Sequence, residues 1–314
     1  MTDDDIVVPF RAEASGVMGR LVRLGPAVDH ILTRHAYPDA VAMVLGEAVA
    51  LTAMLGAALK FDKADSKFIL QTRSDGPIGL IVVNFDSPGH LRAYAAFDEA
   101  QLAARGKAAA GPDDGRLIGS GQLAMTIDPG GGMERYQGIV ALDGGSIAEA
   151  ALDYFRQSEQ LPTFIRLAVG RVHGGPGDGW HWRAGGLLIQ HLTEEGGNRP
   201  PAFDRLKGDG TGYEYDEHWE RTRILAATVE DHELTDPSLA PDRLLYRLFH
   251  EEGVRAFERR PLQARCGCSR ERLGGILRSF TAAERRDMAA EDGTVTATCE
   301  YCNTSYRFTS AEIG

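Results

Sequence analysis

The residues of this chain best able to do chemistry stand near its C-terminal end, in "RCGCSRER" at 265–272 and "CEYCNTSYRF" at 299–308. Cys266, Cys268, Cys299 and Cys302 are all the cysteine in its 314 residues, spaced as a CxC and a CxxC. Four thiolates in two close pairs are the ligand set that zinc takes in a closed tetrahedral sulfur site, once the fold brings the pairs together. The gap of 30 residues between Cys268 and Cys299 exceeds the roughly 15–20 of common zinc ribbons and leaves room for a helix, "RERLGGILRSF". Four unrelated buried thiols would be a weaker account, because the 265 preceding residues contain none. A unit of about 60 residues also buries too little apolar surface to fold without a staple. Zinc-bound thiolates can be oxidised as well as structural. Arg265, Arg270 and Arg272 would draw peroxide to the first pair, and a disulfide within "CGC" would close a small, readily reduced ring. Spacing alone leaves a structural site and a redox switch both open.

Two ligand pairs need elements to position them. At about 100–200 residues per domain, 314 residues suggest two domains, or one large and one small. The run from Pro38 to Leu59 is apolar on every face, which predicts a helix sandwiched inside a domain rather than a membrane span, with Asp39 as N-cap. "KFILQTR", "GLIVVNF" and "HLRAYAAF" predict an antiparallel meander, and "GQLAMTID" and "RYQGIVAL" repeat the pattern across "PGGGME". Ser146 and Glu149 form a capping box that opens a helix over "SIAEAALDYFRQSEQ". "TFIRLAVGRV" and "AGGLLIQHL" then close an α+β core domain at 1–193.

Residues 194–250 join a Gly/Pro-rich, charged loop to two helical runs, "EHWERTRILAATVEDHEL" and "PDRLLYRLFHEE". The second run carries an apolar stripe of Leu244, Leu245, Leu248 and Phe249 that needs a partner surface. Residues 251–314 make the small cysteine unit, whose folding energy the metal would supply. The expected fold class is α+β: antiparallel sheets around a buried helix, a helical linker and a small zinc-binding α+β domain.

A net charge of −11 favours solubility and opposes bulk attraction to nucleic acid. Between Arg255 and Arg286, nine arginines stand against Glu258, Glu271 and Glu284, a local +6 (9 − 3) that keeps a zinc-ribbon nucleic-acid binder as the alternative function. A thiol oxidoreductase ranks third, because a redox CxxC is expected on a βαβ unit. "DPGGGMERYQG" lacks the strand-to-helix context of a dinucleotide loop, and "DGTGYEYDEHWE" puts Tyr213 where a calcium loop needs an oxygen ligand. His173, His181 and His191 read as strand or loop surface, and Trp180 and Trp182 as packing on an edge strand. No catalytic triad or carboxylate pair is evident, so no enzyme is expected. "MTDDDIVVPF" has no basic segment followed by an apolar run, does not read as a secretory signal, and makes the cytoplasm the expected location.

At the cysteines the sequence resembles the redox-regulated heat-shock holdases of the 33 kDa chaperonin family. "CGCSRER" resembles the family's CxC motif and "CEYCNTSYRF" its CxxC motif. "HAYP" at 35–38, "ERYQGIVAL" at 134–142, "YFRQSEQLPT" at 154–163 and "LYRLFHEE" at 245–252 resemble other family segments, so the likeness covers nearly the whole chain. It implies a reduced, inactive monomer with one Zn2+ on Cys266, Cys268, Cys299 and Cys302, which oxidants convert into an ATP-independent chaperone for unfolding client proteins. It further implies that Cys266 then pairs with Cys268 and Cys299 with Cys302, that the metal leaves, and that the helical linker unfolds. Exposed apolar surface would also pair two copies, making a homodimer the expected oxidised form. "GNRPPAFDRLKGDGTGYEYD" departs from the family pattern in being longer and richer in glycine.

Overall fold

The computed structural model describes residues 3–59, 63, 65–104, 117–175, 178–191 and 217–313. The chain opens with a hairpin, β1 (Ile6–Ala12) and β2 (Val17–Leu24), followed by α1 (Pro26–Leu32) and the long α2 (Asp39–Gly56). A meander of β3 (Lys67–Ser74), β4 (Ile78–Asp86) and β5 (His90–Phe97) leads through α3 (Glu99–Ala104) to the hairpin β6 (Ser120–Asp128) and β7 (Tyr136–Asp143). After α4 (Ile147–Tyr154) comes a third hairpin, β8 (Thr163–His173) and β9 (Trp180–His191). The helices α5 (Glu217–Ala227), α6 (Asp231–Thr235) and α7 (Pro241–Phe249) precede three short strands, β10 (Val254–Ala256), β11 (Arg260–Pro261) and β12 (Gln263–Ala264). The last unit holds α8 (Arg270–Arg278), α9 (Ala282–Asp287), the hairpin β13 (Thr294–Thr298) and β14 (Ser305–Thr309), and α10 (Ser310–Ile313).

These elements stack in layers. The first sheet runs β10-β1-β2-β9-β8, with β11 also on β1, and the second runs β12-β5-β4-β3-β6-β7. Between them lies α2, whose Leu45, Ala48, Leu51 and Met54 are fully buried. A helix that meets a sheet on each side keeps no polar face, so its hydropathy is that of a core helix and not of a membrane span. Asp39 is not its N-cap. Pro38 takes that position, and the Asp39 carboxylate is the first of the helix and accepts from Arg171. The Ser146–Glu149 capping box forms, but its α-helix ends at Tyr154 and passes into a π-helical turn over Phe155–Glu159.

The far face of the first sheet carries a second core. Val8, Phe10, Leu21, Leu187 and Ile189 pack there against Ala226, Leu234 and the stripe Leu244, Leu245, Leu248 and Phe249. Phe10 stacks on Phe249 with ring centroids 5.3 Å apart. A Cβ on Gly185 would stand 2.2 Å from the Leu234 carbonyl oxygen, so only glycine lets α6 lie this close to β9. β9 lies between β2 and β8 over Ala184–His191, but its first residues pair with β8 alone, so Trp180 and Trp182 stand at an edge as expected: Trp182 is buried there with its N donating to Asp29 Oδ1, while Trp180 is exposed. The segment 254–264, grouped with the cysteine unit from sequence, pairs instead with β1 and β5. The "GNRPPAFDRLKGDGTGYEYD" stretch lies outside the described residues.

Candidate metal centre

The two cysteine pairs are held by different elements. β12 runs parallel to β5, and Arg265 N donates to Leu91 O at 2.9 Å, which fixes the chain up to the residue before Cys266. Directly after Cys268, the Ser269 hydroxyl accepts from Arg272 N at 3.1 Å and caps α8. Cys299 and Cys302 sit in the turn between β13 and β14. There Cys299 N donates to Thr304 O at 3.0 Å, Asn303 N donates to Cys299 O at 2.8 Å, and Asn303 adopts φ 55, a left-handed conformation that asparagine tolerates.

All four Sγ atoms lie within 4.8 Å of one another. Cys266 Sγ is 3.6 Å from Cys299 Sγ, and Cys268 Sγ is 3.3 Å from Cys302 Sγ. Tetrahedral bonds of about 2.3 Å to zinc would set sulfurs about 3.8 Å apart, so the cluster has the dimensions of a closed sulfur site. Among the described residues this is the one group of three or more metal-ligating side chains, and His173, His181 and His191 are not brought together. Burial pushes the Cys266 thiol up to about 12 and raises that of Cys268. For Cys302 burial pulls the same way, but contacts from Thr304 and from the neighbouring thiols draw it down to about 7. Tyr306, 3.6 Å from Cys268 Sγ, is pushed up to about 12, chiefly by that hydrogen bond. Holding four thiolates so close calls for a compensating cation, and an all-sulfur, four-coordinate, partly buried set fits zinc.

The core around this centre is small. Leu277, Val295, Phe308 and Ile313 are its buried apolar residues, with Leu273, Ala289, Ala297 and Tyr306 packed against them. The CxxC lies on a β-hairpin turn and not on the βαβ unit of a redox enzyme. Of the nine arginines behind the nucleic-acid alternative, Arg259, Arg270, Arg278 and Arg285 already donate to acceptors of the chain itself.

A group of residues unnoticed in the sequence docks the centre on the second sheet. Tyr301, between the two cysteines of the CxxC, donates its hydroxyl to Asn84 Oδ1 on β4 at 3.1 Å. The Arg92 guanidinium of β5 stands over its ring at 4.5 Å. Asn303 Nδ2 donates to Arg34 O at 3.1 Å. The aromatic inside the CxxC was the only available signal.

A family model described as Hsp33 protein matches residues 5–309. The chain belongs to the Hsp33 family. The 33 kDa chaperonin of Caulobacter vibrioides (strain NA1000 / CB15N) is 42% identical over 304 residues, covering 97% of this chain and 94% of that relative. Its counterpart from Ectopseudomonas mendocina (strain ymp) is 39% identical over 311 residues, covering 99% and 94%. The crystal structure of the Hsp33 homologue from Thermotoga maritima, also a 33 kDa chaperonin, superposes with a TM-score of 0.74 at 25% identity, over 98% of this chain and 96% of that one. Hsp33 membership supports the chaperone function and the binding of unfolded clients expected from the sequence, and the α+β class agrees with the fold described above.

Proposed function

We propose that this Hsp33 chain is an ATP-independent holdase kept inactive by its own cysteine centre. The observation that carries this reading is the cluster itself: four sulfurs within 4.8 Å, in a unit with four buried apolar residues of its own. In the reduced cytoplasm one zinc per chain would keep these sulfurs ionised and provide the folding energy of the unit. Peroxide would take two electrons from each pair. Two thiolates, one H2O2 and two protons give one disulfide and two waters, joining Cys266 to Cys268 and Cys299 to Cys302. A disulfide no longer offers anionic ligands, so the unit loses its staple.

The stripe Leu244, Leu245, Leu248 and Phe249 is covered by the first sheet, not by the cysteine unit. The unit reaches the linker through the chain, since α7 leads directly into β10–β12 and then to Cys266. Loss of the unit frees that segment at its C-terminal end, and release of α5–α7 would then bare two apolar surfaces, the helical stripe and the sheet face of Val8, Phe10, Leu21, Leu187 and Ile189. Either can recruit non-native chains or a second copy without a nucleotide.

The test compares light scattering from a thermally unfolding client with reduced protein, peroxide-treated protein, and treated protein returned to reductant and zinc, with metal content measured in each sample. Protection should appear only in the treated sample, together with loss of one zinc per chain and a shift from monomer to dimer. Equal protection by reduced and oxidised protein, or protection that needs ATP, would refute the reading.

A further inference from the structure

Three aspartates open the described chain, and each holds a different element. Asp5 accepts from Gly25 N at 2.9 Å and from Ala27 N at 3.1 Å, tying the strap to the start of α1. Its own carbonyl accepts from Leu262 N at 2.7 Å. Asp4 takes both terminal nitrogens of Arg183, and Asp3 takes Nη1 of Arg259. Neither arginine stops there. Arg183 Nε donates to the carbonyl of Thr235, the last residue of α6, at 2.7 Å, and Arg259 Nη2 donates to Asp242 in the first turn of α7 at 2.8 Å.

Beside Arg183, Arg23 of β2 donates to Glu233 O at 2.9 Å and also to Asp236 O. Carbonyls at the C-terminal end of a helix lack intrahelical donors and carry partial negative charge, so two guanidinium groups there satisfy α6 on both counts. Arg23 is 1% exposed and Arg183 7%, so their charges depend on protein partners and not on water. Asp4 is the carboxylate bonded to Arg183. Without it, a buried cation would keep only a carbonyl, an arrangement that favours turning toward solvent and releasing Thr235.

We propose that residues 3–5 form a strap that sets how firmly α6 and α7 are held on the first sheet, an autoinhibitory device separate from the cysteine centre. Two of its three aspartates act through an arginine on a linker helix, and the third anchors the strap to α1. That loosening the strap bares a client surface rests on the holdase reading; the strap itself does not.

The experiment uses the full-length, reduced, zinc-loaded protein and reads hydrogen exchange over residues 217–249. The double variant Asp3→Asn/Asp4→Asn is compared with Asp153→Asn, which neutralises an exposed pair with Arg156 away from the linker. Three hydrogen bonds, two to Arg183 and one to Arg259, lose their charge assistance, so exchange in α6 and α7 should accelerate about tenfold or more, with β3–β7 and zinc content unchanged. Asp3→Asn alone, at a half-exposed pair that cannot endanger the fold, should give a smaller acceleration confined to α7. Unchanged exchange over 217–249 in both variants, or an acceleration spread equally over every element, would overturn the strap. Light scattering with the reduced double variant then judges the other reading separately: faster exchange without any gain in client protection would uphold the strap and count against the holdase surface.

Discussion

Glu252 is a carboxylate placed where water cannot reach it. It is 1% exposed, bonds through Oε1 to Arg221 at 2.6 Å, and its Oε2 has no hydrogen-bond partner among the described residues. A half-satisfied buried charge costs free energy, which weakens the docking of the helices before it. Glu252→Met should therefore stabilise linker docking by about 1–2 kcal/mol, seen as slower exchange in α5 and α7 and a later onset of client protection after peroxide. Exchange in α5 and α7 no slower than the parent's would contradict this. His181 gives the molecule a pH dependence of known sign. Its Nδ1 bonds Asp29 at 3.2 Å and its Nε2 lies 2.9 Å from Asp178 O, and these contacts, Asp29 first, raise its pKa above 6.5. A raised folded value means that the stabilisation is complete below the unfolded pKa and is lost as pH climbs through the folded one. Thermal unfolding of the parent and of His181→Gln should differ most below pH 6.5, the ordinary histidine value, and converge as pH rises through the raised folded one.

Among the elements, α7 shows how far local pattern reaches. Its stripe was readable from the spacing of four apolar residues, and all four are buried. The surface that covers them was not, because Pro9, Gly19 and the arginines of "IVVPFRA" and "VMGRLVRL" mask the alternation of β1 and β2. The single helix expected over "EHWERTRILAATVEDHEL" divides at Thr228–Glu230, where a second capping box, Glu230 with Glu233, starts α6. In the sequence, β9 showed only as an apolar run with glycines; that Gly185 admits α6 depends on a contact across the fold. Leu248→Ala should weaken linker docking by about 2–5 kcal/mol, because the cavity lies between two rigid elements. Exchange over 217–249 should rise in the reduced protein while zinc stays bound. Exchange like the parent's would show that the stripe contributes little.

At the scale of the whole molecule, the layers predict where oxidation acts. The two sheets and α2 share a core that contains no cysteine, so peroxide should raise exchange over about 217–313 and leave 67–143 protected. Loss of protection in both ranges together would show that the layers unfold as one. The four cysteines of the cluster were legible in residue type and spacing, since two short motifs hold all four. Its dock was not: Tyr301 and Asn84 lie 217 positions apart, and no local pattern links them. The same layering also gives the chain an optical gauge. Of its three tryptophans, Trp180 and Trp182 belong to β9, whereas Trp219 belongs to α5 and stacks on His191 with ring centroids 6.0 Å apart. If the linker departs as the holdase reading requires, the two indoles of β9 would keep their surroundings and the one in α5 would move into water, so a red shift of its emission would time the opening in unlabelled protein.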